Sequence, residues 1–202
     1  MTKFDRKTKE TDIKCRVDTD GNGTSNIDTG VGFFDHMLEA FSKHSGIDID
    51  LSCKGDLHID AHHTVEDCGI VLGKALKDEI FPIKNVERYG NATVVMDEAA
   101  TTCALDLSNR PFLVYEVNVS GKVGEFDTEL VEEFFHAIAG NAGLTVHIIQ
   151  DRGRNKHHIL EASFKAFAVA LRRAMAKNEK LGIPSTKGVL WLSWLFLMLM
   201  EH

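Results

Sequence analysis

The stretch His62-His63-Thr64-Val65-Glu66 and its near copy His157-His158-Ile159-Leu160-Glu161 decide the reading of this chain, because both have the form H-H-x-x-E. Each copy is followed by an apolar run: Ile70, Leu72, Leu76 and Ile80 after the first, Phe164, Phe167, Ala168 and Leu171 after the second. Apolar residues recurring at helical spacing mark an amphipathic helix, so each cluster opens a helix. On a helix Glu66 lies four residues after His62 and three after His63 and shares a face with both. Adjacent histidines instead diverge by about 100°. Neighbouring imidazoles therefore serve two ions more easily than one, and the natural arrangement is two helices facing each other across a dinuclear site. Imidazole with carboxylate suits Mn, Fe, Co, Ni or Zn, and the lack of a thiolate cluster argues against a cysteine-type structural zinc site. One copy alone would read as capping or surface residues; two matched copies read as a metal site.

Working outward, the flanking residues align as well. Before the first copy lies Gly32-Phe33-Phe34-Asp35-His36-Met37-Leu38, then Gly46 and the strand residues Ile47, Ile49 and Leu51. Before the second lies Leu130-Val131-Glu132-Glu133-Phe134-Phe135, then Gly143 and Leu144, Val146 and Ile148. With His36 set against Glu133, both glycines fall ten residues later, and the first histidine of each pair follows after 26 and 24 residues. The chain is thus an internal duplication of helix, glycine turn, strand, loop and H-H-x-x-E helix. His36 and Glu133 occupy equivalent helix positions and offer a further ligand from each half. The candidate metal ligands are His36, His62, His63, Glu66, Glu133, His157, His158 and Glu161. Four protein ligands per ion at two sites leave about two positions of an octahedral metal open for substrate.

Ile13, Cys15 and Val17 alternate with polar residues as a first strand, Asp20-Gly21-Asn22-Gly23 is a turn signal, and further strands are expected at 92–96, 103–107 and 112–119. Strands ahead of helices in each half imply an α+β fold, with helices packed on one face of each sheet. The expected division is 1–95 for the first half, 96–190 for the second and 191–202 for an apolar tail. No low-complexity linker separates the halves, so they pack as one unit. A hydrophobic content of 44% over 202 residues is ordinary for one or two globular domains, and a net charge of -7 disfavours nucleic-acid and anionic-membrane partners. The cysteines Cys15, Cys53, Cys68 and Cys103 show no close pairing, which suggests reduced thiols of a cytoplasmic protein, and the polar start Met1 to Glu10 carries no secretory signal.

Four segments bear a family resemblance: Thr29-Gly30-Val31-Gly32-Phe33, Asp56-Leu57-His58-Ile59-Asp60-Ala61 running into His62 to Asp67, Phe126-Asp127-Thr128-Glu129, and Ile183-Pro184-Ser185-Thr186-Lys187-Gly188. Together they closely resemble the imidazoleglycerol-phosphate dehydratase family of histidine biosynthesis, from about Arg6 to Leu190. The resemblance implies two duplicated βαβ-type halves of the ribosomal protein S5 domain 2-like fold. It also implies a hydro-lyase that converts D-erythro-imidazole glycerol phosphate to imidazole acetol phosphate. The carbon proton lost in that reaction is not acidified by a carbonyl, so the imidazole ring itself must act as the electron sink. A metal on each ring nitrogen would hold the substrate as a metal-bound imidazolate, and loss of hydroxide would give a diazafulvene-like species that tautomerises to the ketone.

The resemblance implies two Mn(II) ions per subunit, and Glu133, standing where some relatives carry His, favours a hard ion of that kind. Glu10, in Lys7-Thr8-Lys9-Glu10-Thr11, matches the family's N-terminal catalytic glutamate, and Glu66 and Glu161 are the other acid/base candidates. Arg88, Arg110, Lys165, Ser185, Thr186 and Lys187 match positions that bind the phosphate and glycerol parts of the substrate, with Glu10, His36 and His44 completing the set. Arginine suits bidentate contacts to phosphate oxygens. Asn109 stands where the family commonly has Gly, and Asp97, Glu98 and His44 are candidates for supporting the site. Family members form shells of 24 chains built from trimers with metals at the contacts between trimers, so a homo-oligomer is implied.

The run VLWLSWLFLMLM at 189–200 departs from the family, whose members usually stop soon after the Ser-Thr-Lys-Gly motif. It is too short to span a bilayer, which needs about 20 residues. So apolar a run is either covered in an oligomer contact or an artefact of cloning or read-through, and no function is assigned to it. Two alternative classes are a dinuclear metallohydrolase, which needs a metal-water nucleophile beside an electrophile pocket, and a metal-storage protein, which would not require the Arg88, Arg110 and Lys187 set.

Overall fold

The computed structural model describes residues 1–186, so Lys187 and the apolar run at 189–200 lie outside the described residues. The first block comprises strands β1 (Thr2–Lys7), β2 (Thr11–Asp18) and β3 (Ser25–Asp28), helix α1 (Gly32–Ser45), strand β4 (Asp48–Gly55) and helix α2 (His62–Ile80). The second repeats this order with β5 (Tyr89–Met96), β6 (Ala99–Asp106), β7 (Phe112–Glu116), α3 (Leu130–Ala142), β10 (Thr145–Arg152) and α4 (Lys156–Ala174). A short hairpin, β8 (Lys122–Val123) with β9 (Phe126–Asp127), is inserted ahead of α3. The sheets repeat as well, in the orders β1-β2-β4-β3 and β5-β6-β10-β7. In each, the first three strands are antiparallel neighbours and the last joins in parallel. The duplication read from the histidine motifs therefore extends back over the preceding strands.

The local causes are those that the sequence carries. Both α1 and α3 stop at a glycine in the left-handed conformation, Gly46 with φ 79° and Gly143 with φ 71°, where a side chain would be strained. Strand β2 buries Thr11, Ile13, Cys15 and Val17 and leaves the residues between them more exposed, so one face of the sheet is apolar. Helices cover that face, and helices of one half also pack on those of the other, α1 on α4 and α2 on α3. Gly69 and Gly73 on α2 allow α3 to approach, because a Cβ there would lie 3.0 Å from the Phe134 carbonyl oxygen and 2.9 Å from that of Ile138. The position on α4 equivalent to Gly69 is Phe164, which is fully buried, stacks on Phe134 and packs at a tilt against Phe135.

Three details differ from the sequence expectation. The division expected after residue 95 falls inside the β5–β6 hairpin, where Met96 pairs with Ala99; the chain changes sheet between Ile80 and Tyr89. Residues 2–7 form an edge strand whose only large apolar side chain is Phe4, too weak a pattern to read as a strand. Strand β7 ends at Glu116, short of 119. All four cysteines are buried and none is in a disulfide. Among the described residues no helix is long and apolar enough to cross a membrane.

Candidate functional site

Among the described residues one group of three side chains could hold a metal ion, and it draws on both halves. His36 from α1 meets His157 and Glu161 from the first turns of α4, their ligand atoms all lying within 4.8 Å of one another. His157 Nε2 is 3.0 Å from Glu161 Oε2, and His36 Nε2 is 3.6 Å from the same oxygen. Ligand atoms bound at about 2.1 Å in adjacent positions of one ion sit about 3 Å apart, so the donor set fits a divalent cation in both chemistry and spacing. Glu161 is only 5% exposed, and its other oxygen accepts from Lys165 Nζ at 2.7 Å. Burial pushes the Glu161 carboxyl up, but the hydrogen bond and charge of Lys165 outweigh it and hold the group below its ordinary value. His44, nearby on α1, is held below the ordinary imidazole value by burial and then by the charges of Lys165 and Arg172.

The second histidine of each motif turns away from the first, as helical geometry requires. The rings of His62 and His63 are nearly perpendicular at 6.1 Å, and those of His157 and His158 likewise at 6.3 Å. His63 Nδ1 is 3.0 Å from Asp56 Oδ2, and its Nε2 is 3.8 Å from Glu10 Oε1. His158 Nδ1 is 2.8 Å from Glu98 Oε2, with Asp97 3.8 Å from its Nε2. These carboxylate hydrogen bonds raise both imidazoles above their ordinary value. His62 lies 3.9 Å from Glu66, and Glu133 sits on α3, the helix that packs on α2. Among the described residues, however, His62, Glu66 and Glu133 do not close into a second group of three. The two motifs therefore do not meet face to face across one dinuclear site within a chain. Asp56, which orients His63, was missed as a site residue because nothing in local periodicity ties a loop acid to a histidine seven residues on.

Of the basic candidates, Lys165 lies beside Glu161 at the histidine end, whereas the arginines gather elsewhere. Arg88 donates to both carboxylate oxygens of Asp106, at 2.7 and 3.0 Å, and to the Pro184 carbonyl at 2.7 Å. Exposed Arg110 approaches the same carboxylate at 3.9 Å, so Arg88, Arg110 and the segment carrying Ser185 and Thr186 come together. Asn109 adopts φ 53°, the left-handed region that glycine favours and asparagine tolerates, so the backbone before Arg110 keeps the conformation a glycine would give. This basic group lies at the Tyr89–Asp106 end of the β5–β6 hairpin, whereas Glu98 and His158 lie at its turn. Seven steps along an eight-residue strand span about 23 Å. A second ruler agrees: the Arg88 N–H donates to the Ala174 carbonyl at the end of α4, about 26 Å along the helix from His157. The far end of α2 is on the same side, since Ile80, Leu107 and Met175 line one cleft. Both H-H-x-x-E clusters are therefore at the opposite end of the subunit from the arginines.

Residues 29–171 match the family model described as imidazoleglycerol-phosphate dehydratase. The chain is 87% identical over 190 residues to the imidazoleglycerol-phosphate dehydratase of Aliarcobacter butzleri, covering 94% of this chain and 100% of that protein. It is 64% identical, with the same coverage, to that of Sulfurimonas denitrificans. Among solved structures, the Staphylococcus aureus imidazoleglycerol-phosphate dehydratase superposes with TM-score 0.78 at 42% identity, covering 88% of this chain and 100% of that one. The Pyrococcus furiosus protein, in complex with (S)-C348, superposes with TM-score 0.80 at 39% identity, covering 92% and 99%.

Proposed function

The chain belongs to the imidazoleglycerol-phosphate dehydratase family, and from that premise we propose that it dehydrates D-erythro-imidazole glycerol phosphate at a dinuclear Mn(II) site completed between neighbouring subunits. The chain is a hydro-lyase of histidine biosynthesis; the metal, the assembly and the division of labour among residues are the proposal. The observation that carries it is the separation of more than 20 Å between the histidine clusters and the arginines, from the strand and helix rises. The substrate has three carbons between its ring and its phosphate ester, joined by bonds of about 1.5 Å, and cannot bridge such a gap. If the histidines hold the ring and the arginines the phosphate, they belong to different chains. A homo-oligomer of 24 subunits built from trimers, with metals at the contacts between trimers, meets that requirement, and a cytoplasmic location suits the buried free thiols.

His36, His157 and Glu161 would hold one Mn(II), and His62, Glu66 and Glu133, their counterparts in the other half, would contribute to the second, with His63 and His158 supplying ligands from a neighbouring chain. Bound there, the two cations would favour deprotonation of the substrate ring, which helps expel hydroxide from the attached carbon and so acidifies the next carbon along. Lys165 keeps Glu161 ionised and ready to ligate. Glu10 is more than half exposed at the β1–β2 turn beside His63, where its carboxylate can take the carbon proton. Arg110 and Arg88, with Ser185, Thr186 and Lys187, would fix the phosphate and so set the distance from ring to base. Chelator-stripped protein reloaded with Mn(II) should hold close to two ions per chain and turn over imidazole glycerol phosphate, followed as the enolised ketone. A clean value of one ion per chain, or undiminished turnover in the stripped protein, contradicts the scheme.

A further inference from the structure

Overlaying the halves sets the β1–β2 turn against the β5–β6 turn, with Glu10 directly ahead of β2 and Glu98 directly ahead of β6. Each acid reaches the second histidine of its own half: Glu10 Oε1 is 3.8 Å from His63 Nε2, and Glu98 Oε2 is 2.8 Å from His158 Nδ1. The two counterparts are held very differently. The Glu10 side chain is 53% exposed. Glu98 Oε1 also accepts from the backbone N–H groups of Asn155 and Arg154, at 2.7 and 3.0 Å. These two backbone donors and the His158 ring together fix the carboxylate in place. Asn155 is in turn the N-cap of α4, its side-chain oxygen accepting from the backbone N–H groups of His157 and His158 at 3.0 and 3.4 Å. One carboxylate thus fixes both the His158 ring and the cap from which it projects. In the first half Asp56 serves His63 Nδ1, at 3.0 Å, and Glu10 has no such duty.

We propose that Glu98 is the positioning residue of the second half: it accepts the Nδ1–H of His158, fixes that tautomer and leaves the Nε2 lone pair outward as a ligand atom. Asp56 does the same for His63, and this leaves Glu10, the counterpart of Glu98, free for proton transfer. A neutral imidazole carries its proton on one nitrogen only, so whatever hydrogen-bonds at Nδ1 decides whether Nε2 can bind a cation. The ligand half of this inference rests on the metal site proposed above; the tautomer half does not.

The test is Glu98→Gln. Two backbone N–H donors claim the amide oxygen, so the amide NH2 faces His158 Nδ1 and drives the proton to Nε2. Mn(II) affinity, measured on stripped protein by competition with a chelator, should fall about 10–100-fold, the usual loss for an outer partner of a ligating histidine. Imidazole 15N NMR of the metal-free protein should show His158 changing from the Nδ1–H to the Nε2–H form. The double variant with His158→Ala should bind Mn(II) no worse than His158→Ala alone, because Glu98 acts only through that ring. Unchanged affinity and tautomer in Glu98→Gln, or additive losses in the double variant, overturn the inference. If His158→Ala itself keeps full affinity, the metal site fails instead. In that case, or if the Gln variant does not fold, the wild-type tautomer decides: Nδ1–H sustains the positioning role and Nε2–H overturns it.

Discussion

Replacing Asp106 with alanine removes the anchor of the basic group, and the structure sets the size of the effect. Its carboxylate takes two hydrogen bonds from the Arg88 guanidinium, at 2.7 and 3.0 Å, and the two side chains are only 15% and 12% exposed. Removing one partner of a fully buried pair costs about 3–5 kcal/mol, while an exposed pair contributes under about 1 kcal/mol. The small exposure places this pair nearer the buried limit. Solvent screening and the surviving bond from Arg88 Nη1 to the Pro184 carbonyl, at 2.7 Å, reduce the loss. The expected loss is about 2–3 kcal/mol, a fall in Tm of about 4–12 °C for a chain of this size. Urea and thermal melts of metal-free protein at one fixed concentration measure it, since metal and assembly would otherwise add their own stabilisation. Paired with Arg88→Met, the single losses should overlap by about 2 kcal/mol, because either change alone breaks the same interaction. KM for the phosphorylated substrate should rise while the metal content per chain is unchanged, since the pair lies far from the histidines. A loss below about 0.5 kcal/mol, or metal loss matching the KM change, would refute the reasoning.

Gly90→Ala should be far more damaging than its size suggests: a Cβ there would overlap the Ala170 carbonyl oxygen and come 2.7 Å from the Ala174 nitrogen. Both are backbone atoms of α4 and cannot swing aside, so a loss of about 3 kcal/mol or more is expected in urea melts; a loss under about 1 kcal/mol means that α4 shifts freely. Alkaline pH should also weaken the fold. Burial raises the Cys15 thiol from 9.0 to about 12, so its contribution is complete below about pH 9 and is lost as pH climbs from there towards the folded value. Urea midpoints should fall less between pH 8 and 10.5 in Cys15→Ser than in the parent, and equal falls would remove Cys15 from the account.

How much of this was legible in the sequence depended on whether the cause was local. The H-H-x-x-E repeats announced α2 and α4, the glycines at 46 and 143 announced the ends of α1 and α3, and helical geometry alone required His62 and His63 to diverge. Strand β1 was lost because an edge strand with one apolar side chain carries almost no period-two signal. Apolar pattern also cannot say which sheet a strand joins, so β5 was grouped with the first half although it pairs with β6. Glu98 was a candidate for supporting the site, but its partner His158, 60 residues on, is set only by the closed sheet. The arginines were assigned by resemblance, but their place at the far end of β5 and α4 from the histidines follows from the tertiary fold alone.

That separation makes subunit complementation the most direct test of an active site built from more than one chain. Glu10→Gln removes the proton-transfer group at the histidine end, and Arg110→Ala removes a phosphate contact at the other; neither takes away a metal ligand. Each homogeneous protein should have lost most of its turnover. When the two are stripped of metal, mixed in equal amounts and reassembled with Mn(II), a given site has an intact Glu10 with probability one half and an intact Arg110 from another chain with probability one half. Activity should therefore recover to about one quarter of wild type in a randomly mixed symmetric assembly. Activity no greater than the average of the two variants, in particles shown to contain both chains, would mean that both residues act on substrate from the same chain and would contradict the account.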